Sequence, residues 1–321
     1  MNPGSEPRIL VIALGGNALQ RPEDDDSVAG DFRRTAETVA YLLPLMASGD
    51  WRVVLTHGNG PQVGNHLLRS ELGHDNGGTP LLPLDVCVAD TQGGMGYMIQ
   101  QCLANAYASA GLPGVAVSIV TQVLVDAGDP AFARPSKPVG EHVPAERVAE
   151  LEARGWSLVE DRRRGAWRRV VASPEPVEIV EAEGVRALVA TGVTVVAGGG
   201  GGIPVVQTAD GALEGVAAVV DKDLAAALLA ADLQAAGLVI LTDVPHVSLG
   251  YGTDDEHPVD RMSVADARRY LDAGQFPPGS MGPKVEAICR FVESSGGTGV
   301  ITSIEKCEAG VYGRAGTLIV P

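Results

Sequence analysis

The sequence predicts an α/β fold built on a mainly parallel sheet, with an inserted subdomain. Three observations carry this reading. Short apolar runs alternate with segments of helical periodicity, the signature of βαβ units. Residues 122–173 break that rhythm. A chain of 321 residues with 45% hydrophobic content is long enough for one large domain, or two lobes, around a buried core. The first buried strand is expected at 9–14. Helical periodicity follows at 32–48, where Phe32, Ala36, Val39, Ala40 and Leu43 recur, and 52–56 reads as the second strand. Helices are expected near 62–72 and 85–110, then a strand at 115–120. Later strands are predicted at 193–197, 238–242 and 300–302, with helices near 181–191, 222–235, 263–273 and 284–294 between them.

The interrupted stretch carries prolines, mixed charges and short aromatic strands around Trp156 and Trp167. Its arginines, Arg162, Arg163, Arg164, Arg168 and Arg169, read either as a grip on phosphate or as a solvated hairpin. The neighbouring Glu150, Glu152, Glu160 and Asp161 favour the hairpin. A formal charge of −16 argues against nucleic acid as a partner, because such partners need a basic footprint. No apolar run approaches the roughly 20 residues of a spanning helix. The first six residues lack the basic and apolar regions of a signal peptide. The expected setting is therefore cytoplasmic, with no membrane partner. Cys87, Cys102, Cys289 and Cys307 show no C-x-x-C spacing and read as buried free thiols rather than a metal site or disulfide framework.

Glycine turns mark three strand ends: Leu14-Gly15-Gly16-Asn17, Thr56-His57-Gly58-Asn59-Gly60-Pro61, and Gly198 to Gly202 followed by Ile203-Pro204. The carboxyl edge of a parallel sheet is where ligands bind, and glycines let backbone N–H groups approach an anion unobstructed. Pro61 suits the first turn of the next helix, whose N-terminus adds positive partial charge. One Gly-Gly alone is an ordinary turn; three on one edge form an anion cradle. The spacing fits neither the G-x-G-x-x-G dinucleotide fingerprint nor the Walker sequence. Gly279-Ser280-Met281-Gly282 likewise lacks the G-x-S-x-G spacing of a nucleophile elbow.

Lysine is scarce. Only four of the 24 basic residues are lysine, and Lys137, Lys222 and Lys284 lie in Gly- or Pro-marked turns or beside aspartates, whereas Lys306 does not. Such placement in a chain that otherwise spends arginine on its surface suggests a need for compact ammonium groups. Turn exposure is the competing explanation.

Seven segments follow one another along nearly the whole chain: Ala13-Leu14-Gly15-Gly16-Asn17-Ala18-Leu19, Thr56-His57-Gly58-Asn59-Gly60-Pro61-Gln62-Val63-Gly64, Gln92-Gly93-Gly94-Met95-Gly96-Tyr97, Ser136-Lys137-Pro138-Val139-Gly140, Trp167-Arg168-Arg169-Val170-Val171, Asp221-Lys222-Asp223-Leu224 and Gly279 to Lys284. Together they resemble the carbamate kinase family of the amino-acid kinase superfamily. The resemblance implies a three-layer αβα sandwich around a mostly parallel sheet, with a small protruding subdomain at 122–173, usually as a homodimer. It divides the single domain into an acceptor-binding half, 1–215, and a nucleotide-binding half, 216–321. It also implies reversible phosphoryl transfer between ATP and carbamate, with Mg²⁺ accompanying the nucleotide.

By the same resemblance Lys137, Lys222 and Lys284 attend the phosphoryl group and Asp223 organises the lysines. Gly15, Gly16, Asn17, Gly58, Asn59 and Gly60 line the acceptor pocket. Thr242, Asp243 and Val244 form the adenine-side loop, with Tyr251 and Met281 as apolar walls; Asp243 serves equally well as a turn cap. Related kinases of the superfamily place a lysine on the first strand before the double glycine, where this chain has Ile12-Ala13-Leu14. In carbamate kinases the subdomain lysine, here Lys137, supplies that charge. The sequence departs from the family at Glu141-His142-Val143 and at Pro245-His246. The first departure sets a carboxylate and an imidazole near the expected reacting end and keeps a different small carboxylate, phosphonate or carbamate open as acceptor. A non-catalytic nucleotide-binding regulator is the third reading, opposed by the retained lysines and Asp223.

Overall fold

In the computed structural model, which describes residues 6–19, 27–161, 165–277 and 279–321, the predicted alternation becomes an eight-stranded sheet. Its strands lie in the order Arg261–Ser263, Thr317–Val320, Thr298–Ser303, Gly237–Thr242, Arg8–Leu14, Trp51–His57, Thr194–Val196 and Ala116–Ser118. Every neighbouring pair is parallel except Thr298–Ser303 with Thr317–Val320.

Residues of one strand feed two cores, as expected of a parallel strand buried on both faces. Val11 and Ala13 join Val185, Leu229 and Ile288 on one side of the sheet. Leu10, Ile12 and Leu14 join Leu42, Ile99 and Leu103 on the other. Helices Ala182–Ala190, Lys222–Asp232 and Met281–Ser295 therefore cover one face, and Val28–Ala47 and Leu84–Ala110 the other. This is the three-layer αβα arrangement. The chain also reverses its direction of travel across the sheet at Arg8–Leu14, whose neighbours are Trp51–His57 and Gly237–Thr242. A reversal of this kind opens a crevice at the carboxyl ends of the strands.

The long apolar strands fall within a residue or two of expectation. Two predicted strands are shorter. The runs at 115–120 and 193–197 pair only over Ala116–Ser118 and Thr194–Val196, because Val115 and Val120 lie exposed at the sheet margin and Gly198 turns the chain away in the left-handed region. The first helix starts earlier than expected, at Val28, since the Ser27 hydroxyl accepts a hydrogen bond from Gly30 N at 3.0 Å. Short strands such as Pro176–Ile179, Leu213–Gly215, Val247–Leu249 and His257–Val259 left no periodicity to read.

The interrupted stretch resolves into two structures. Gln122–Val125 pairs with Ile203–Gln207 and Pro176–Ile179 in a four-stranded sheet. Lys137–Val143, Ala166–Val171 and Ser157–Asp161 form a separate antiparallel sheet. That small sheet docks on helix Gly60–Gly77. Arg169 stacks 4.2 Å over the Trp156 ring and pairs with Glu71 of the helix at 3.1 Å, while Arg154 reaches Asp75 at 3.0 Å. Arg162, Arg163 and Arg164 lie outside the described residues. Among the described residues no helix is long and apolar enough to cross a membrane, and all four cysteines are buried and free.

The docking is backbone against backbone at one point. A Cβ on Gly64 would stand 2.0 Å from Gly140 Cα, and Gly140 itself has φ +71°. Gly64→Ala is therefore expected to push the small sheet off the helix and to lower unfolding free energy by about 1–3 kcal/mol. Urea unfolding of the variant checks this, and an unchanged midpoint would show that the contact yields freely.

Candidate active site

Two adjoining cavities open at the carboxyl edge of the sheet. The smaller, about 570 Å³, is walled by Gly15, Leu241, Thr242, Asp243, Ser303 and Glu305. The larger, about 800 Å³, is walled by Gly58, Asn59, Gly60, Lys137, Gly200 and Asp221. Gly16, Gly279, Ser280, Lys222 and Lys284 line both, which makes the cavities two halves of one cleft with lysines at the junction.

Helices Gly60–Gly77, Lys222–Asp232 and Met281–Ser295 all begin at this cleft. Neither Asn59 nor Ser280, at the N-cap positions of the first and third, caps its helix with a side-chain hydrogen bond. First-turn N–H groups are thus left to an anionic ligand. The same positive helix ends disfavour cations, yet Lys222 is the first residue of its helix and Lys284 lies in the first turn of its own.

Asp223 reconciles them. Lys222 Nζ donates to its Oδ1 and Lys284 Nζ to its Oδ2, the latter at 2.9 Å. Burial alone would raise the Asp223 pKa, but the two ammonium groups more than offset this and hold the carboxyl well below its ordinary value. Burial pushes the Lys222 ammonium below its ordinary pKa, with Asp223 opposing and Lys284 reinforcing the effect.

Lys137 arrives from the small antiparallel sheet. Its Nζ donates to Asp221 Oδ2 at 2.6 Å, while Asp221 Oδ1 accepts from Asp223 N at 2.9 Å as the helix N-cap. Burial would raise the Asp221 pKa too; the Lys137 ammonium brings it below the ordinary value instead. The tripeptide Asp221-Lys222-Asp223 therefore gathers all three cleft lysines. Sequence reasoning gave Asp221 no role, and its position immediately before a helix-starting lysine was the available signal.

A buried polar layer lies beneath the glycine turns. Gln92 Nε2 donates to Thr121 O at 3.0 Å and Gly199 O at 2.8 Å, and its Oε1 accepts from Thr121 N at 2.7 Å. The run at 198–202 serves mainly as a seat for side chains, and only Gly200 of it reaches the cleft. A Cβ on Gly199 would come within 2.3 Å of His57 Nε2, and one on Gly200 within 2.2 Å of Asn59 Nδ2. Burial drives the His57 pKa down to about 4, against the hydrogen bond to Gly58 O and with help from the nearby Lys222 charge.

The other expected site residues divide. Thr242 and Asp243 line the smaller half, where Thr242 Oγ1 donates to Asp243 Oδ1 at 3.0 Å. Val244, Tyr251 and Met281 line neither half, Tyr251 being largely exposed. Asn17 sits in the Gly16–Ala18 turn, which Thr38 Oγ1 anchors by donating to Ala18 O; the Asn17 side chain lies outside the described residues. The Glu141 side chain does too. His142 does not face the cleft as expected. It lies 3.3 Å from Asp161 and lines a separate cavity of about 110 Å³, because its strand turns through Gly140 after Lys137. Arg168 and Arg169 likewise serve the small sheet, Arg168 donating to Gly140 O at 2.9 Å.

Two consequences are measurable. Asn caps a helix as well as Asp, so Asp221→Asn should keep the fold's stability while freeing Lys137. Turnover should fall by up to about 100-fold, the scale of a misplaced reacting group; full turnover would show that Lys137 needs no such tether. His57 is neutral in the fold but ordinary when unfolded, so between pH 6.5 and about 4 the unfolded chain binds more protons. Its contribution is fully present above 6.5 and is lost as pH falls through that window, about 3 kcal/mol in all. Urea unfolding at pH 7.5 and 5.0 should show a smaller difference for His57→Gln than for the natural chain.

Residues 8–303 match the model of the amino acid kinase family. The carbamate kinase-like protein YahI of Escherichia coli K12 is 46% identical over 97% of this chain and 98% of its own length. A carbamate kinase of Pyrococcus furiosus is 45% identical over 97% of this chain and 99% of its own. The structure of carbamate kinase from Giardia lamblia bound to AMP-PNP superposes with a TM-score of 0.90 at 37% identity, covering 98% of each chain. The chain belongs to the amino acid kinase family, in its carbamate kinase branch.

Proposed function

We propose that this protein is a carbamate kinase, transferring a phosphoryl group reversibly between ATP and carbamate. In the reverse direction carbamoyl phosphate and ADP give ATP and carbamate, which decomposes to ammonia and carbon dioxide. The observation that carries this is the Lys222–Asp223–Lys284 cluster at the junction of two half-clefts. The smaller half, with Thr242 and Asp243, takes the nucleotide. The larger, with Gly58, Asn59, Gly60 and Lys137, takes the acceptor. Phosphorus then passes between them beside two ammonium groups and three helix N-termini.

Carbamate is already an anion, so its oxygen attacks phosphorus without a general base. The protein's work is to hold two anions in line and neutralise the transferring group. The residues agree: His57, beneath the cleft, is buried and held neutral. Lys222 and Lys284 accompany the phosphoryl group, Asp223 fixes their direction, and Lys137 closes the acceptor side. Among the described residues no group of three His, Cys, Asp or Glu side chains forms a metal cage. That fits an Mg²⁺ held mainly by nucleotide oxygens and water. When bound, such an ion would offset the charge of the phosphates. The reading carries with it a homodimer in the cytoplasm, with no nucleic-acid or membrane partner.

MgADP with carbamoyl phosphate should yield ATP, and tight ADP binding without ATP would count against the assignment. Lys222→Ala and Lys284→Ala should each lower turnover about 100- to 1,000-fold, the scale of one lost transition-state donor. Lys137→Ala should do the same if Lys137 reaches the phosphoryl group. Near-normal rates in folded variants would remove the residue concerned from the mechanism.

A further inference from the structure

Asn59 is buried, 3% exposed, yet it lines the acceptor half of the cleft. Its amide orientation is fixed by a chain of hydrogen bonds. Thr91 Oγ1 donates to Val88 O at 2.6 Å, which leaves the same oxygen to accept from Asn59 Nδ2 at 2.9 Å. The nitrogen end of the amide is thus turned toward helix Leu84–Ala110. Gly200 permits this, since a Cβ there would strike Nδ2, Cγ and Oδ1 together. Among the described residues Asn59 Oδ1 accepts no side-chain or backbone hydrogen bond, and it is not sealed from solvent. A nearly buried acceptor with no donor in the protein is suited to a donor on the ligand.

We infer that Asn59 Oδ1 accepts a hydrogen bond from the amino group of carbamate or carbamoyl phosphate, with Thr91 as the residue that holds the amide in that orientation. This inference rests on the carbamate kinase reading and adds a selectivity device to it. The lysines and helix N-termini of the cleft recognise negative charge, which acetate and acetyl phosphate share with the carbamoyl compounds. They do not distinguish an amino group from a methyl group. An acceptor locked toward the cleft does, because a methyl group leaves it unpaired. Thr91 acts through Asn59 and touches no substrate.

The test compares two phosphoryl donors to MgADP, carbamoyl phosphate and acetyl phosphate, which differ at this position only by NH₂ against CH₃. The natural chain should favour carbamoyl phosphate in kcat/KM. Asn59→Ala should reduce that preference by about 10-fold or more, with the loss falling mostly on carbamoyl phosphate. Thr91→Val, which keeps the volume and removes the hydroxyl, should also reduce the preference, and Thr91→Ser should restore it. Thr91→Val carries the test if Asn59→Ala fails to fold. An unchanged preference in folded Asn59→Ala or Thr91→Val that still makes ATP overturns the amide assignment alone. Absence of ATP from carbamoyl phosphate with the natural chain overturns the kinase reading beneath it.

Discussion

Everything in the cleft depends on one buried carboxylate shared by two ammonium groups. Lys222 and Lys284 stand in the first turns of two helices, where aligned peptide dipoles oppose positive charge. Burial opposes the charged form of Lys222 as well. Asp223, itself almost wholly buried, makes their coexistence possible by accepting from both. An unpaired charge left in such surroundings costs about 3–5 kcal/mol. The three side chains therefore form one unit, in which neither cation is tolerable without the anion.

The fold serves this unit by bringing distant segments to one point. Lys222 and Lys284 come from helices packed on the same face of the sheet, and Gly16 approaches from the central strand. Lys137 comes from a separate small sheet, whose position is set by the Gly64–Gly140 approach and the Arg169–Glu71 pair. Asp221 then ties that sheet to the start of the helix bearing Lys222 and Asp223. One tripeptide thus caps a helix, spaces two lysines and tethers a third. A shift of the small sheet is felt where the lysines meet, because its first strand both packs on the helix through Val139 and lines the cleft with Lys137 and Val139.

Much of this was legible from sequence, for identifiable reasons. The central strands are long apolar runs buried on both faces, so they stand out from the helical periodicity around them. The turns Gly15-Gly16 and Gly58-Asn59-Gly60 were visible because glycine has few other uses at a strand end. The lysines were visible because lysine is rare here. What stayed hidden depends on distance along the chain. Asp221 meets Lys137 across 84 residues, and Gln92 meets Gly199 across 107. No local pattern encodes either pairing. His142 follows Lys137 closely in sequence, but Gly140, at positive φ, intervenes, and its strand delivers the imidazole to Asp161 instead. The glycine run at 198–202 read as a ligand turn, whereas most of its missing Cβ atoms make room for His57, Asn59 and other protein atoms.

The cluster sets its charge beside three helix N-termini. Three ammonium groups face two carboxylates, which leaves a single net positive charge in a chain that is otherwise strongly acidic. The helix N-termini add fixed partial charges of roughly half a unit each, which cannot be lost by deprotonation. An arriving phosphate therefore meets a field already in place. On the proposed function, with backbone amides at helix starts and ammonium groups braced by carboxylates as donors, little reorganisation would remain when charge moves between the two halves of the cleft. The neutral layer of His57, Asn59, Thr91 and Gln92 contributes by contrast. It fixes shape and hydrogen-bond direction beneath the lysines while adding no charge that would compete with the phosphoryl group for them.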